Sequence, residues 1–261
     1  MPRTLTQSCL THAESLTSDF SIPSGAAAVI IALIMAVGVA PARSAHAQNV
    51  LSEEIREFEI LVKDKPAGKS SMRISDLDDG TTRVTTDVHV KLNYVVFVYR
   101  YDFAGYETWR GNRLLSTANR ATDDGKIYEA RAESDTRGFR IEANGRSQTA
   151  ALIDMTTNYW RPPELEQHPS LALMNADRGI VQTARVERLA PEPLNFGAQQ
   201  ITCSHYRFSG DVQAELWFDG QNRIVRQKGI EEGYPTELRL TRLTRPVPAM
   251  ASRPRPQQPL R

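Results

Sequence analysis

The pair Glu107 and Trp109 is the strongest candidate for chemistry in the chain. Residues two apart on a β-strand share a face. On a concave face, the carboxylate and the indole would grip a polar ligand headgroup against an apolar wall, and a desolvated Glu107 would suit a general acid. The alternative is a structural pair, with Glu107 bonded to an arginine or to backbone amides and Trp109 in the core. One carboxylate without a partner is a weak basis for catalysis, so this alternative is favoured and no catalytic residue is assigned.

Further aromatic residues are candidates for binding. The segment Asn158-Tyr159-Trp160 precedes Arg161-Pro162-Pro163. Adjacent aromatics in a proline-rich segment suit either a cap at one end of a barrel or a lid over a cavity, and both readings stay open. Together with Tyr101 from the tyrosine-rich segment before Glu107, the candidate ligand-binding residues are Tyr101, Glu107, Trp109, Tyr159 and Trp160.

Motifs for metals, phosphates and nucleophiles are weak. Cys203 and His205 have ligand-like spacing, but zinc needs three or four ligands and no partner motif is visible, which favours a packed thiol beside a hydrogen-bonded histidine. Gly68-Lys69-Ser70 resembles the end of a phosphate loop, yet Lys63 occupies the position of the required first glycine. The chain contains no G-x-S-x-G, H-E-x-x-H or G-x-G-x-x-G sequence. We therefore expect no cofactor and no metal.

Composition excludes several classes of protein. The chain has 261 residues, 40% of them hydrophobic and 24% charged, which is typical of a soluble globular chain and excludes a multi-span membrane protein. The net charge is +1. A nucleic-acid-binding protein usually carries a clustered basic face, so no nucleic-acid partner is expected.

The N-terminal segment resembles an export signal. Residues Ala26–Ala40 form an uninterrupted apolar run, which is too short for a membrane-spanning helix and suits the core of a signal peptide. Ala45-His46-Ala47 then matches the small-x-small cleavage pattern. We predict a signal peptide over residues 1–47, with the processed protein in the periplasm or extracellular space and no integral membrane span. Few basic residues precede the run, so an uncleaved anchor stays the alternative.

The residues that follow the leader predict a mainly β fold. Apolar side chains alternate with polar ones, and turn pairs such as Asp79-Gly80 and Asp124-Gly125 recur at short intervals. We predict one domain over residues 48–244, in which an antiparallel curved sheet closes into a half-barrel, barrel or sandwich with at most one or two short helices.

Three segments carry more specific predictions. Tyr94–Phe103 is almost continuously β-branched or aromatic, which predicts a strand covered on both faces. The best helix candidate is Pro162–Asn175, interrupted at Pro169. The proline- and arginine-rich residues 245–261 predict a disordered tail.

The order of several motifs resembles a family of exported bacterial proteins whose domain has no assigned function. The resemblance covers residues 55–243. It implies a β-rich domain with distant architectural similarity to periplasmic lipoprotein carriers, which bind acyl chains in an open half-barrel, and it carries no catalytic residues. The motifs are Glu107-Thr108-Trp109, Gly111-Asn112-Arg113-Leu114, Asp124-Gly125, Asn158-Tyr159-Trp160, Leu173-Met174-Asn175 with Gly179, and Leu216-Trp217-Phe218-Asp219 with Arg223-Ile224-Val225.

Three functions follow as hypotheses. The leading one is an exported non-enzymatic protein that binds a lipid or another amphipathic small molecule in its curved sheet, or that has a structural role in the envelope. The second is a hydrolase-like enzyme that uses Glu107 as acid or base. The third is a protein-interaction module that uses the arginine- and proline-rich tail. A roomy apolar cavity favours the first hypothesis, a second polar group beside Glu107 favours the second, and a filled interior favours the third.

Overall fold

Strands make up the regular structure of this protein. The computed structural model describes residues 48–93, 97–165, 170–231 and 233–246, which belong to one compact unit. The predicted leader and most of the predicted tail lie outside these residues. Within them no helix is found, and therefore none that could span a bilayer. The strands are β1 (Val50–Val62), β2 (Lys65–Leu77), β3 (Thr82–Asn93), β4 (Val98–Arg110), β5 (Arg113–Asp123), β6 (Lys126–Asp135), β7 (Gly138–Ala143), β8 (Arg146–Ala150), β9 (Met155–Thr156), β10 (Ser170–Met174), β11 (Val181–Phe196), β12 (Gln199–Gly210), β13 (Ala214–Phe218), β14 (Ile224–Glu231) and β15 (Tyr234–Thr244).

All of these strands belong to one sheet. Its order is β8-β7-β6-β5-β4-β3-β2-β1-β15-β14-β13-β12-β11-β10-β9. Neighbouring strands are antiparallel except β9 and β10, which pair in parallel. The sheet curves without closing, because β8 and β9 are its two edges and do not pair with each other. The predicted antiparallel curved sheet of half-barrel type is confirmed.

The meander places successive turns at opposite ends of the sheet. We call the end that carries the β1–β2, β3–β4, β5–β6, β7–β8, β10–β11, β12–β13 and β14–β15 turns the first end. The second end carries the β2–β3, β4–β5, β6–β7, β11–β12 and β13–β14 turns. Asp124-Gly125 and Asn144-Gly145 have positive φ at both residues, as a two-residue hairpin turn of type I′ requires. The two ends carry different surface residues.

The concave face of the sheet is filled by its own side chains. Every second side chain along the strands is buried, so one face of the sheet points inward. The core cluster contains residues from both halves of the sheet. The segment between β8 and β10 also enters the interior, where Ile153, Met155 and Tyr159 are buried. The largest fully buried apolar side chains are Trp109, Phe208, Phe218, Leu114, Ile141, Leu173, Met174 and Leu216.

Two predicted elements differ from the structure. The helix prediction for Pro162–Asn175 is wrong, because Ser170–Met174 forms strand β10, held between β9 and β11. Ladder pairing on both sides outweighs the helix propensity of the sequence Leu-Ala-Leu-Met. The strand predicted over Tyr94–Phe103 is described only from Val98 onward, and its outer side chains, such as Arg100, are exposed. One face of an antiparallel sheet is free to face water, so this strand is not covered on both faces.

Candidate functional site

Glu107 is the centre of a buried hydrogen-bond network. Strand β4 points Glu107 and Trp109 to the concave face, as predicted, and β9 with its following turn brings Thr156 and Asn158 against the carboxylate. Trp109 Nε1 donates to Glu107 Oε2 at 2.9 Å. Thr156 Oγ1 and Asn158 Nδ2 both donate to Oε1. The carboxylate therefore joins two strands that lie in opposite halves of the sheet.

This network gives Glu107 a structural role. The residue is 0% exposed, and burial raises the pKa of its carboxyl group, while the three hydrogen bonds oppose that rise. Every partner is a donor, and a substrate has no access to the carboxylate in this structure. The structural pair anticipated from sequence is present, but its partners are an indole, a hydroxyl and an amide instead of an arginine or backbone amides.

The aromatic pair Tyr159-Trp160 packs into the interior. Tyr159 has a positive φ of 47° and is buried edge-on against Phe208, with ring centroids 5.6 Å apart. Burial raises the pKa of its hydroxyl. Trp160 turns toward Trp109 instead, with centroids 6.0 Å apart. Because the two rings fill separate parts of the core, they resemble a cap more than a lid.

Tyr101 lies apart from the other four candidates. It is six residues before Glu107 on β4, which places it about 20 Å away toward the first end. Its ring packs against a small second core that includes Phe103 and Ala176. Its hydroxyl is 3.5 Å from Asp177 Oδ2, in the β10–β11 turn. The structure thus brings Glu107, Trp109, Tyr159 and Trp160 together and leaves Tyr101 outside the group.

An accessible cleft opens at the second end, beside this buried group. Its volume is about 580 Å³. Residues from the β4–β5 turn, the β6–β7 turn and the 151–155 segment line it, and none of the five candidates does. Sequence reasoning missed the cleft because its walls come from segments that share no motif. Its apolar lining includes Phe139, Leu152, Ile153, Met155 and Leu171.

Arginines line the polar part of the cleft. Arg161 stacks its guanidinium 4.9 Å from the Trp109 ring centroid and donates to the carbonyls of Asn112 and Asp154 at 3.1 and 3.3 Å. Partial burial lowers the pKa of its guanidinium, and nearby carboxylates oppose that effect. Arg113 and Arg137 are the other two arginines of the lining.

Most carboxylates of the cleft are already engaged. The carboxylate of Asp154 accepts the Ala172 N–H at 2.8 Å, and that of Asp135 accepts the Arg137 N–H at 2.6 Å. Glu164 is the third acidic residue of the lining. The cleft therefore contains three guanidinium groups and three carboxylates, and two of the carboxylates have part of their accepting capacity taken by backbone N–H groups.

Cys203 and His205 lie within strand β12, on its buried face. Cys203 is fully buried, and burial raises the pKa of its thiol to about 11. His205 stacks on Trp217 with ring centroids 4.2 Å apart and bonds Glu215 at 3.2 Å. Among the described residues no group of three or more His, Cys, Asp or Glu is arranged to hold a metal. Packing accounts for both side chains.

Comparison with known proteins identifies the fold and the family. Among solved structures, the chain is similar to a beta-barrel-like protein of domain of unknown function DUF1849 from Brucella abortus, with a TM-score of 0.54 and 7% identity, covering 76% of this chain and 98% of that one. At that identity the likeness concerns the fold alone. Among curated proteins, no sequence matches. The model of the domain of unknown function DUF6134 matches residues 58–241, more than half of the chain. The protein is therefore a member of the DUF6134 family, with a beta-barrel-like fold.

Proposed function

We propose that this protein is a non-enzymatic binding protein that takes an amphipathic anionic molecule in the cleft at the second end. The observation that carries the proposal is the lining of that cleft, in which an apolar floor lies beside three guanidinium groups and three carboxylates, two of the latter bonded to backbone N–H groups. An apolar surface with a few placed charged groups is the usual composition of a small-molecule site, and about 580 Å³ falls within the usual size range.

The arginines support an anionic headgroup. A guanidinium presents several N–H donors in a planar fork that matches a carboxylate or a phosphate. Arg161 is held rigidly by two backbone carbonyls and by the Trp109 ring, so little rotational freedom is lost when it binds. Arg137 is exposed and has no side-chain hydrogen bond or ion pair to another described residue, which leaves its guanidinium available.

The floor of the cleft supports an apolar body. Phe139, Ile153 and Leu171 are buried beneath the cleft, whereas Leu152 at its rim is 52% exposed. Contact with an acyl chain would remove the Leu152 side chain from water, at about 25 cal/mol per Å² of apolar surface. In this proposal Trp109 and Trp160 act indirectly, by supporting Arg161 from the interior.

We also propose that the protein acts outside the cytoplasm. Strand β1 begins at Val50, so cleavage after Ala47 would remove no described strand. The A-x-A pattern and the length of the apolar run support the same processing. N-terminal sequencing of protein recovered from the envelope tests it. We expect a chain that begins at Gln48, and recovery of a membrane-embedded chain that retains Ala26–Ala40 would contradict export.

Titration with simple amphiphiles tests the binding function. We expect dodecyl phosphate and dodecanoate to bind in calorimetry and to change tryptophan fluorescence, because Arg161 lies over the Trp109 ring. Dodecyl maltoside, with the same chain and an uncharged headgroup, serves as the matched ligand and should bind at least about tenfold more weakly, since charge-assisted hydrogen bonds contribute about 1.5–3 kcal/mol.

Two variants separate the cleft from general charge effects. Arg137→Gln removes one cleft guanidinium and should weaken dodecyl phosphate binding about tenfold. Arg131→Gln removes an exposed arginine of β6 that does not line the cleft, and should leave binding unchanged. Equal affinity in wild type and both variants, or no binding of either anionic amphiphile, would refute this function.

A further inference from the structure

We propose that the first end of the sheet is a docking surface for an anionic lipid bilayer. We call this surface the lysine end. It comprises the described residues of the turns at the first end together with the six lysines Lys63, Lys65, Lys69, Lys91, Lys126 and Lys228. It lies at the opposite end of the strands from the cleft, and the proposal does not depend on ligand binding there.

The distribution of lysine is the first observation. These six residues are all the lysines of the chain, and every one is exposed and near the first end. Lys63 and Lys65 flank the β1–β2 turn, and Lys126 opens β6 after the β5–β6 turn. Arginines, in contrast, occur at both ends, with Arg113 and Arg137 at the second.

None of these lysines has an ionic partner among the described residues. The ion pairs that the structure shows among the described residues are all made by arginine or histidine. At the same end, Asp123 and Asp177 are held by Arg178 at 3.0 and 3.6 Å. The exposed carboxylates of these turns and of the adjoining strand ends are Asp64, Asp102, Asp124, Glu129, Glu142, Asp211 and Glu231, of which Asp102 and Glu129 pair with His89 and Arg120. Together with the exposed guanidinium groups of Arg100, Arg146 and Arg185 in the same strand ends, the six ammonium groups outnumber these carboxylates and leave a positive surface.

Exposed apolar side chains occupy the same turns. Phe97 in the β3–β4 connection is 53% exposed, and Ile127 after the β5–β6 turn is 52% exposed. Three more exposed apolar side chains belong to the β10–β11 and β14–β15 turns, namely Ile180, Ile230 and Tyr234. Turns at this end adjoin one another, since Asp124 N donates to Arg100 O at 2.8 Å and Lys63 N to Pro235 O at 2.9 Å.

Apolar turn tips flanked by lysines match the chemistry of a membrane surface. Aliphatic and aromatic side chains enter the boundary between headgroups and acyl chains, while lysine stems lie along apolar surface and hold their ammonium groups at the phosphates. Lys63 already extends over the Tyr234 ring, 4.4 Å from its centroid. Each lysine near an anionic surface strengthens binding about fivefold, so no single residue is decisive.

Vesicle flotation of the purified chain tests the proposal. We expect it to float with vesicles of phosphatidylethanolamine and phosphatidylglycerol at a ratio of about three to one, and to remain unbound with pure phosphatidylcholine. The triple variant Lys65→Gln, Lys91→Gln and Lys126→Gln should reduce vesicle affinity about 100-fold. The control triple Arg110→Gln, Arg131→Gln and Arg188→Gln removes the same charge elsewhere on the exposed surface and should have a small effect.

A second pair of variants tests the apolar contribution. Phe97→Ser with Ile127→Ser should weaken flotation at least about tenfold, whereas Leu51→Ser with Tyr106→Ser removes exposed apolar side chains away from the lysine end and should not. Circular dichroism on every variant checks folding.

Three outcomes would overturn the docking surface. One is absence of flotation, and another is equal binding across all variants, as a retained leader would produce. The third is a dimer of the wild-type protein, without lipid, that dissociates in the Phe97→Ser and Ile127→Ser variant, because this result would assign the surface to a second copy of the chain. Loss of dodecyl phosphate binding in the cleft would leave the lysine end unaffected.

Discussion

Substitution of Trp109 measures how much of the fold depends on the filled interior. Its indole is 1% exposed, packs against Trp160 and donates to the buried Glu107. Trp109→Ala should cost about 3–5 kcal/mol through lost burial and the resulting void. The loss also leaves one carboxylate oxygen of Glu107 without its donor, which costs about 1–3 kcal/mol more. Since domains of this kind are stable by about 5–15 kcal/mol, the alanine variant is close to unfolding.

The phenylalanine variant isolates the hydrogen bond. Trp109→Phe keeps most of the apolar volume and removes the N–H, so we expect a loss of about 1–3 kcal/mol in urea unfolding. Trp217→Phe is the matched control, because Trp217 Nε1 also donates to a carboxylate, that of Glu192, at 2.8 Å. The Glu192 side chain is 43% exposed, so water replaces the lost donor and the cost should be smaller.

Two results would refute this reasoning. A loss below about 2 kcal/mol for Trp109→Ala would mean that the indole lies on an accessible wall instead of in a packed core. Equal losses for the phenylalanine variants of Trp109 and Trp217 would mean that the carboxylate of Glu107 is reached by water.

Three other perturbations have definite expected outcomes. Because burial raises the pKa of Glu107 in the folded state, wild-type stability should fall as pH rises from the ordinary value of 4.5 through the raised one, and Glu107→Gln should lose this slope in urea midpoints measured against pH. Cys203, fully buried and with its pKa raised to about 11, should react with a thiol reagent only after unfolding, and fast labelling of the native protein would contradict its burial. Gly179→Ala should lower the melting temperature more than Gly111→Ala, because both positions have positive φ but only a Cβ at Gly179 would lie 2.7 Å from Ala143 Cβ.

The alternation of apolar and polar residues predicted the strands well, because it depends on residues that are close together in the chain. Alternation along Thr82–Leu92 anticipated β3, and the Asp124-Gly125 pair anticipated a turn with positive φ at both residues. The prediction for Pro162–Asn175 failed because Ser170–Met174 has no local feature that reveals pairing on both sides with β9 and β11. The partners of that strand are set by the folded sheet.

The candidate site was predicted only in part. The shared face of Glu107 and Trp109 follows from the period of a strand, but their mutual hydrogen bond was not predicted, because an arginine or backbone amides were expected as the partners of Glu107. Thr156 and Asn158 escaped prediction because they reach Glu107 from about fifty residues away, through the packing of β9 inside the sheet. No spacing along the chain encodes that approach.

The sequence by itself determined a β-rich fold, the positions of most turns, and the placement of a carboxylate and an indole on one face, because each depends on residues within a few positions of one another. Only the tertiary structure decided that the concave face is filled, that a cleft lined by arginines lies at the second end, and that all six lysines are near the first end. The physical reason is the antiparallel meander, which brings every second turn to the same end and so gathers residues that are far apart in the chain.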